Sequence, residues 1–366
     1  MTCQSISSSS HRAIGLDLMR ISLALLIFAF HSRIHVLQCD YGLLNGFIDM
    51  GAIAMTGFFL LSGYALHLSY GKKDMSDIPS IRKFYIKRLI AILPLYYTWA
   101  IIKVILHIFE KGTAAAIEET VLLPVESLGM QSWFATLFPF SHNSGSWFIS
   151  CIMVCYFVFP LLDHLTRHLK QGSKKVLIVI LSAVLLYSPF VQHYFDLPSL
   201  YDNPFFRVLE FTVGILVCQL NLSQSVSSGL IALLRKRQIG LMSVICLVVG
   251  VMAARHFRLP ADYMMYNCVA LPCFVSLLFS LGHNKFTLLA GWKVIPYLSS
   301  LSFPFYLSQI AAVWSGVQCG LSYTGWDNNV MRILVSAFLC FGLANIFRYA
   351  IDCPIGKYLK AKLLKE

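Results

Sequence analysis

Charged side chains are scarce in this sequence of 366 residues. Asp, Glu, Lys and Arg make up 13% of it, hydrophobic residues 57% and aromatic residues 14%, and the mean hydropathy is +0.69. Soluble domains carry about 25% charged residues. The sequence also lacks a long polar segment, because its longest connector between apolar runs is about 36 residues, 110–145. These two shortages exclude an ordinary soluble protein and leave no connector that could hold a soluble domain.

The chain also lacks cysteine pairs at metal-ligand spacing. Its 11 cysteines are scattered, and none forms a Cys-x-x-Cys motif. We therefore expect no metal site.

Ten apolar runs take up most of the chain. Each is long enough, or nearly so, to cross a hydrocarbon core of about 30 Å as an α-helix. This pattern predicts an all-α fold, a polytopic transmembrane helix bundle. The predicted spans are residues 14–36, 46–70, 90–109, 146–165, 176–191, 205–220, 239–254, 264–281, 298–316 and 330–351. We expect residues 14–354 to form the transmembrane domain, residues 1–13 a polar cytoplasmic tail and residues 355–366 a basic cytoplasmic tail.

The net charge of +12 is a topology signal. Of the 29 Lys and Arg residues, 21 fall in segments on the same side of the predicted bundle as the amino terminus. The positive-inside rule places those segments in the cytoplasm, and an even number of spans returns the chain there. Both termini are therefore predicted to be cytoplasmic. The lipid bilayer is the expected partner of this surface, and a nucleic acid is not.

The first span carries three ionisable residues, Asp17, Arg20 and His31. Such groups are costly in a bilayer unless they pair or line a wet cavity, so they usually mark a site. On an α-helix, Arg20 and His31 lie within about 20° of the same face and about 16 Å apart along the axis. His31 is either a packing histidine or a general base for a hydroxyl group. Arg20 is either neutralised by Asp17 or available to a phosphate.

A basic cluster precedes the third span, in Ile81-Arg-Lys-Phe-Tyr-Ile-Lys-Arg88. Such a cluster is usually an orientation signal. Its arginines and lysines could also hold the phosphates of a nucleotide-bearing cofactor.

Two residues of the sixth span, Arg207 and Glu210, are one helical turn apart and can pair. They form either a structural clamp or part of an acceptor site. Trp147 in the fourth span is compatible with both interpretations.

Five motifs in this order resemble the acyltransferase-3 family, bacterial integral-membrane enzymes that O-acylate cell-surface sugars. The motifs are Leu16-Asp17-x-x-Arg20 with Phe30-His31, Gly57-Phe-Phe-Leu-Leu-Ser-Gly63, Phe84-Tyr85-x-Lys87-Arg88 with Pro94-x-Tyr96, Arg207-x-x-Glu210-Phe211-x-x-Gly214, and Asp352-x-Pro354.

The resemblance implies that a cytoplasmic acyl-CoA, most simply acetyl-CoA, donates its acyl group to a hydroxyl of a cell-surface carbohydrate or lipid-linked glycan. The enzyme would lie in the bacterial plasma (inner) membrane, with polysaccharide-assembly proteins as partners. The residues implied for catalysis are His31, Arg20 and Asp17; for the donor, Arg88, Lys87, Arg82 and Tyr96; for the acceptor, Arg207, Glu210, Trp147 and Gln309.

Three positions depart from the family pattern. Ala91 stands where a second arginine is frequent, and Ile152 where a glutamate usually follows the fourth-span tryptophan. Gln309 stands in place of a frequent ninth-span histidine. The missing glutamate leaves His31 as the clear candidate base.

Two other functions are compatible with the sequence. A transporter or glycan flippase would also have many spans and buried charges, although the two halves show no inverted repeat. A scaffolding subunit of a polysaccharide-assembly complex could retain a decayed site.

Overall fold

The computed structural model describes residues 14–73, 75, 77–134, 146–223, 229–257, 259–260, 262–289 and 291–364. The predicted amino-terminal tail, 1–13, and residues 365–366 of the predicted carboxyl-terminal tail lie outside the described residues. Every regular element within the described ranges is helical, which confirms the all-α prediction.

The described residues form thirteen principal helices, joined by short turns and short helices. They are α1 (Ile14–Ile34), α2 (Ala54–Tyr70), α3 (Ile78–Lys111), α4 (Thr113–Ser127), α5 (Trp147–Arg167), α6 (Gln171–Tyr194), α7 (Pro204–Leu222), α8 (Arg237–His256), α9 (Asn267–His283), α10 (Val294–Leu307), α11 (Ala311–Thr324), α12 (Asn329–Ile346) and α13 (Cys353–Leu364). A π-helical segment, Phe347–Asp352, joins α12 to α13.

Eight helical segments of the described chain are long and apolar enough to cross a membrane. They correspond to the predicted spans except the eighth and ninth. The eighth is the 17-residue helix α9, and the ninth is divided into α10 and α11, each of 14 residues. The multi-pass helical architecture is therefore confirmed, whereas ten spans and the orientation of the termini remain predictions. The connector 110–145 also contains a helix, α4, that the sequence analysis did not predict.

The divided ninth span contains a proline, which lacks the N–H that a helix needs. Pro304 leaves the carbonyl of Ser300 without its intrahelical donor. Arg348 donates to that carbonyl instead, at 2.9 Å. The helix ends a turn later, and residues 308–310 separate α10 from α11. In a membrane protein, backbone freed in this way is tolerated where neighbouring groups satisfy it.

Contacts between helix termini divide the bundle into two ends. At one end, Arg167 donates to the backbone carbonyl of Lys73, at 3.5 Å. The basic clusters of the sequence lie here, and we call it the basic end. At the other, which we call the opposite end, Arg255 pairs with Asp49 at 2.9 Å. The basic end is the one predicted to face the cytoplasm.

The tightest helix crossing joins α2 to α7. A Cβ atom added at Gly63 would lie 2.0 Å from the carbonyl oxygen of Phe211, and one added at Gly214 would lie 2.0 Å from that of Leu60. Small residues allow such close approach of helices in membranes. The glycines of two sequence motifs therefore serve packing.

Replacing Gly63 with alanine is expected to destabilise the bundle by about 1–3 kcal/mol or more, since the neighbouring backbone must move. The thermal unfolding midpoint in detergent measures this. Gly342→Ala on α12 is the matched control, because a Cβ there meets no atom of the structure within 4 Å. Equal midpoints for the two variants would contradict the packing role.

Candidate active site

The first span places Asp17 and Arg20 together, as expected for residues one turn apart. Arg20 Nη1 lies 3.3 Å from Asp17 Oδ1. Ser299 of α10 completes the group, since it donates to Asp17 Oδ1 at 2.5 Å and accepts from Arg20 Nη1 at 2.9 Å. Asp17 is buried, but 31% of the Arg20 side chain is exposed. The guanidinium therefore remains accessible.

Arg20 faces a cavity of about 360 Å³ between α1, α2, α3, α5 and α10, which we call the central cavity. Arg88 of α3 also lines it, together with serines and apolar side chains. Ala91 and Ile152 line it too. The family pattern usually has an arginine and a glutamate at these two positions. In this protein the corresponding parts of the cavity wall are apolar.

A second cavity, of about 450 Å³, lies at the basic end, and we call it the basic cavity. Five cationic side chains and one carboxylate line it: Lys87, Arg88, Arg348, Lys357, Lys360 and Asp352. Arg88, Ala91 and Phe303 line both cavities, so the two adjoin.

Arg88 is held at this junction by aromatic rings. Its guanidinium carbon lies 5.3 Å from the Tyr70 ring centroid and 5.9 Å from that of Tyr156, within cation–π range. Nη2 donates to the Tyr70 hydroxyl at 3.2 Å. The buried Nε atoms of Arg88 and Arg348 have no hydrogen-bond partner in the described part of the chain. Both side chains line the basic cavity.

Only part of the basic cavity was predicted from the sequence. Lys87 and Arg88 line it, as predicted for the donor site. Arg82 is exposed and lines neither cavity. Tyr96 is buried away from both cavities and donates to the backbone carbonyl of Glu126.

Three cations of the basic cavity come from the end of the chain. Arg348 lies in the π-helical segment, and Lys357 and Lys360 lie in α13, which the sequence analysis treated as a tail. The sequence did contain a signal for these two lysines, because a spacing of three residues puts both on one helix face. π-helical turns are frequent at functional sites.

His31 lies towards the opposite end of the bundle and makes a hydrogen bond with the predicted residue Gln309. Its Nδ1 is 2.7 Å from Gln309 Oε1. Gln309 occupies the break between α10 and α11, so the divided span brings the amide to the histidine. Because an amide oxygen only accepts, Nδ1 carries the proton and Nε2 is left as the basic nitrogen.

Tyr306 separates His31 from the central cavity. Its ring lines that cavity, and its centroid is 6.4 Å from the imidazole centroid. His35, just beyond the end of α1, has its ring centroid 5.4 Å from that of His31. Sequence reasoning missed both residues, although the four-residue spacing of the histidines was a usable signal.

Arg207 and Glu210 form a fully buried ion pair, with 2.8 Å between Nη1 and Oε2. Glu210 also accepts from Thr56 at 2.8 Å. The Arg207 guanidinium lies 5.4 Å from the Trp147 ring and 5.0 Å from the Tyr201 ring. None of these residues lines either cavity. The geometry favours the structural clamp, one of the two interpretations that the sequence left open.

Among the described residues, no group of three or more His, Cys, Asp or Glu side chains is placed to hold a metal ion.

The fold is a multi-pass helical bundle with two adjoining cavities. The chain belongs to the acyltransferase-3 family, because that family's model, described as an acyltransferase domain, matches residues 13–349. A curated relative, acyltransferase MdmB of Streptomyces mycarofaciens, is 30% identical over 184 residues, which cover 46% of this chain and 46% of the relative. The match thus spans less than half the length of that relative. No solved structure matches the chain.

Proposed function

We propose that the protein is a membrane O-acyltransferase that takes an acyl group from acyl-CoA at the basic end and transfers it to a hydroxyl group at the opposite end. The observation that carries this proposal is the adjoining pair of cavities. One is lined by five cations, and the other reaches Tyr306, the neighbour of His31.

The basic cavity suits the phosphates of CoA. Arginine and lysine bind phosphate oxygens through charge-assisted hydrogen bonds, which are about twice as strong as neutral ones. Asp352 offsets only part of the positive charge. We assign Lys87, Arg88, Arg348, Lys357 and Lys360 to the donor phosphates.

The central cavity suits the acyl-bearing arm of the donor, which would enter past Arg88, Ala91 and Phe303. Arg20 lies about 16 Å from His31 along α1, so the two cannot contact the same carbonyl. We therefore assign Arg20, with Asp17 and Ser299, to holding that arm rather than to the reacting carbon.

The chemical step is assigned to His31. Its Nε2 takes the proton of the acceptor hydroxyl while that oxygen attacks the thioester carbon. The carbon–sulfur bond then breaks, and the departing thiolate takes the proton from His31 Nε2 and leaves as CoA. Gln309 fixes the imidazole so that Nε2 remains unprotonated. Tyr306, between His31 and the central cavity, marks where donor and acceptor meet.

The finer assignments belong to the same proposal. We propose an acetyl group as the acyl group, a cell-surface carbohydrate or lipid-linked glycan as the acceptor, and the bacterial inner membrane as the location. The family resemblance supports these assignments. Release of CoA from acetyl-CoA by purified protein, increased by an acceptor, tests the proposal; a transporter would bind or move a solute and release no CoA.

Replacing Lys357 and Lys360 together with glutamine is expected to weaken CoA binding at least tenfold. Hydrogen bonds to charged groups contribute about 1.5–3 kcal/mol each, and about 1.4 kcal/mol corresponds to tenfold in affinity. Isothermal titration of the detergent-solubilised protein with CoA measures the Kd. Lys362→Gln is the control, since Lys362 is on the same helix and does not line the basic cavity. An unchanged Kd in the double variant would remove α13 from the donor site.

A further inference from the structure

The lining of the central cavity changes along its length. Met55 and Phe58 lie in the first two turns of α2, towards the opposite end, whereas Ser69 lies in the last turn, towards the basic end. Met55 and Ser69 are about 21 Å apart along the helix axis. The cavity is therefore long enough for its two halves to differ in chemistry.

The charged side chains of this lining lie in the half nearer the basic end. Among the described residues they are Arg20 and Arg88. Arg20 is in the second turn of α1, far from the end of that helix where Arg33 contacts Asp49, and Arg88 also lines the basic cavity. The guanidinium carbon of Arg88 lies 5.9 Å from the ring centroid of Tyr156, so Tyr156 belongs to the same half.

Apolar and aromatic side chains line the other half, which we call the apolar half. They are Met55, Phe58, Phe148, Ile152 and Tyr306. The ring centroid of Phe148 is 6.3 Å from that of Phe58 and 5.9 Å from that of Tyr306, within the range of aromatic contact. Three rings, from α2, α5 and α10, therefore meet at this end of the cavity.

Ile152 lies where the two halves join. Phe148, Ile152 and Tyr156 follow one another at a spacing of four residues along α5, so one helix face presents all three to the cavity. Ile152 is 2% exposed and belongs to the hydrophobic core. Because protein interiors are closely packed, a change of even one methylene group is felt at such a position. The size of residue 152 therefore sets the space between Phe148 and Tyr156.

The chemistry of the apolar half selects its occupant. A polar group buried there without a hydrogen-bond partner costs free energy, and an unpaired charge costs more. An uncharged hydrocarbon group, in contrast, is favoured. Tyr306 brings this half next to the proposed base, since its ring centroid is 6.4 Å from that of His31.

We infer that the apolar half is an acyl pocket, that it selects uncharged acyl groups, and that Ile152 determines how long an acyl chain it accepts. The carbonyl carbon of the donor lies beside Tyr306. The acyl carbons pack against Met55, Phe58 and Phe148, and their extent is limited by Ile152. A carboxylate at the end of the acyl chain would have no partner there. This inference rests on the proposed function for the identity of the donor as an acyl-CoA.

The test uses binding, without acyl transfer. The probes are analogues of acetyl-, butyryl-, hexanoyl- and succinyl-CoA in which a methylene group replaces the thioester sulfur, so that the acyl group cannot leave. Isothermal titration of the detergent-solubilised protein gives the Kd of each. Butyryl and succinyl chains are equally long, and we expect the succinyl analogue to bind at least tenfold more weakly. Equal affinities for these two would overturn the selection of uncharged groups.

Replacing Ile152 with alanine is expected to improve binding of the hexanoyl analogue, relative to the acetyl analogue, at least tenfold. One methylene group in an apolar pocket is typically worth about 10–200-fold in discrimination. Ile149→Ala is the matched control, because Ile149 is buried on the same helix and lines neither cavity. An unchanged ratio in Ile152→Ala, or the same change in Ile149→Ala, would overturn the role of Ile152.

The Kd for free CoA shows whether each variant folds. It should be the same in the unchanged protein and in both variants, since the phosphates of CoA are assigned to the basic cavity. If Ile152→Ala does not bind CoA, Ile152→Val makes the same comparison with a smaller change of side chain. An acetyl-to-hexanoyl ratio that is unchanged in a CoA-binding Ile152→Val would then overturn the role of Ile152.

The outcomes separate the two proposals. Chain-length selection that changes with residue 152, in a protein that transfers no acyl group, would keep the acyl pocket as a binding site and overturn the proposed function. Acyl transfer with the same preference between acetyl-CoA and hexanoyl-CoA in Ile152→Ala would keep the function and overturn the acyl pocket.

Discussion

Replacing His31 with alanine is expected to lower the turnover of acyl transfer by at least about a hundredfold, the usual contribution of a positioned general base. CoA binding should not change, because His31 is separated from the central cavity by Tyr306 and lies far from the basic cavity. The kcat for acceptor-dependent CoA release and the Kd for CoA measure the two effects.

His35→Ala is the matched control for this change. His35 directly follows the last residue of α1, and its ring centroid is 5.4 Å from that of His31, but the hydrogen bond with Gln309 is made by His31. Its removal should leave kcat nearly unchanged. Gln309→Leu should give an intermediate loss of kcat, since the imidazole is then free to rotate but the base is still present. More than about a tenth of the wild-type turnover in His31→Ala would contradict the general-base assignment.

Replacing Glu210 with glutamine is expected to cost about 3–5 kcal/mol of stability, because it leaves the buried Arg207 guanidinium without its counter-charge. Both side chains are fully buried, so water cannot solvate the unpaired guanidinium. The double change Arg207→Met with Glu210→Gln should recover part of the loss, since no uncompensated charge remains. The thermal unfolding midpoint in detergent measures each variant.

The half-buried pair of Asp327 and Arg332, which is more accessible to water, provides the comparison. Hydrogen bonds from Arg332 and Ser322 lower the pKa of Asp327 to about 2, so this pair is charged at neutral pH. Its stabilisation is present above the ordinary carboxyl pKa and is lost only as the pH falls through about 2. Asp327→Asn should therefore change the midpoint at pH 7 much less than Glu210→Gln. A double variant less stable than Glu210→Gln alone would contradict the buried-charge explanation.

The sequence determined those features that depend on neighbours within one helix. The lengths of the apolar runs predicted most of the helices, because a segment that crosses a bilayer must form its backbone hydrogen bonds internally. The pairing of Asp17 with Arg20 and of Arg207 with Glu210 followed from a separation of three residues, which one helical turn brings together. The ordered motifs were sufficient to indicate the family that the match over residues 13–349 shows.

Only the tertiary structure decided which helix faces meet. Gln309 reaches His31 across 278 positions of sequence, and Ser299 reaches Asp17 across 282. Lys357 and Lys360 line the basic cavity because α13 packs against α3. Span length and composition leave the rotation of each apolar helix open, since packing against its neighbours sets that rotation. The sequence therefore determined the elements, whereas packing between them assembled the site.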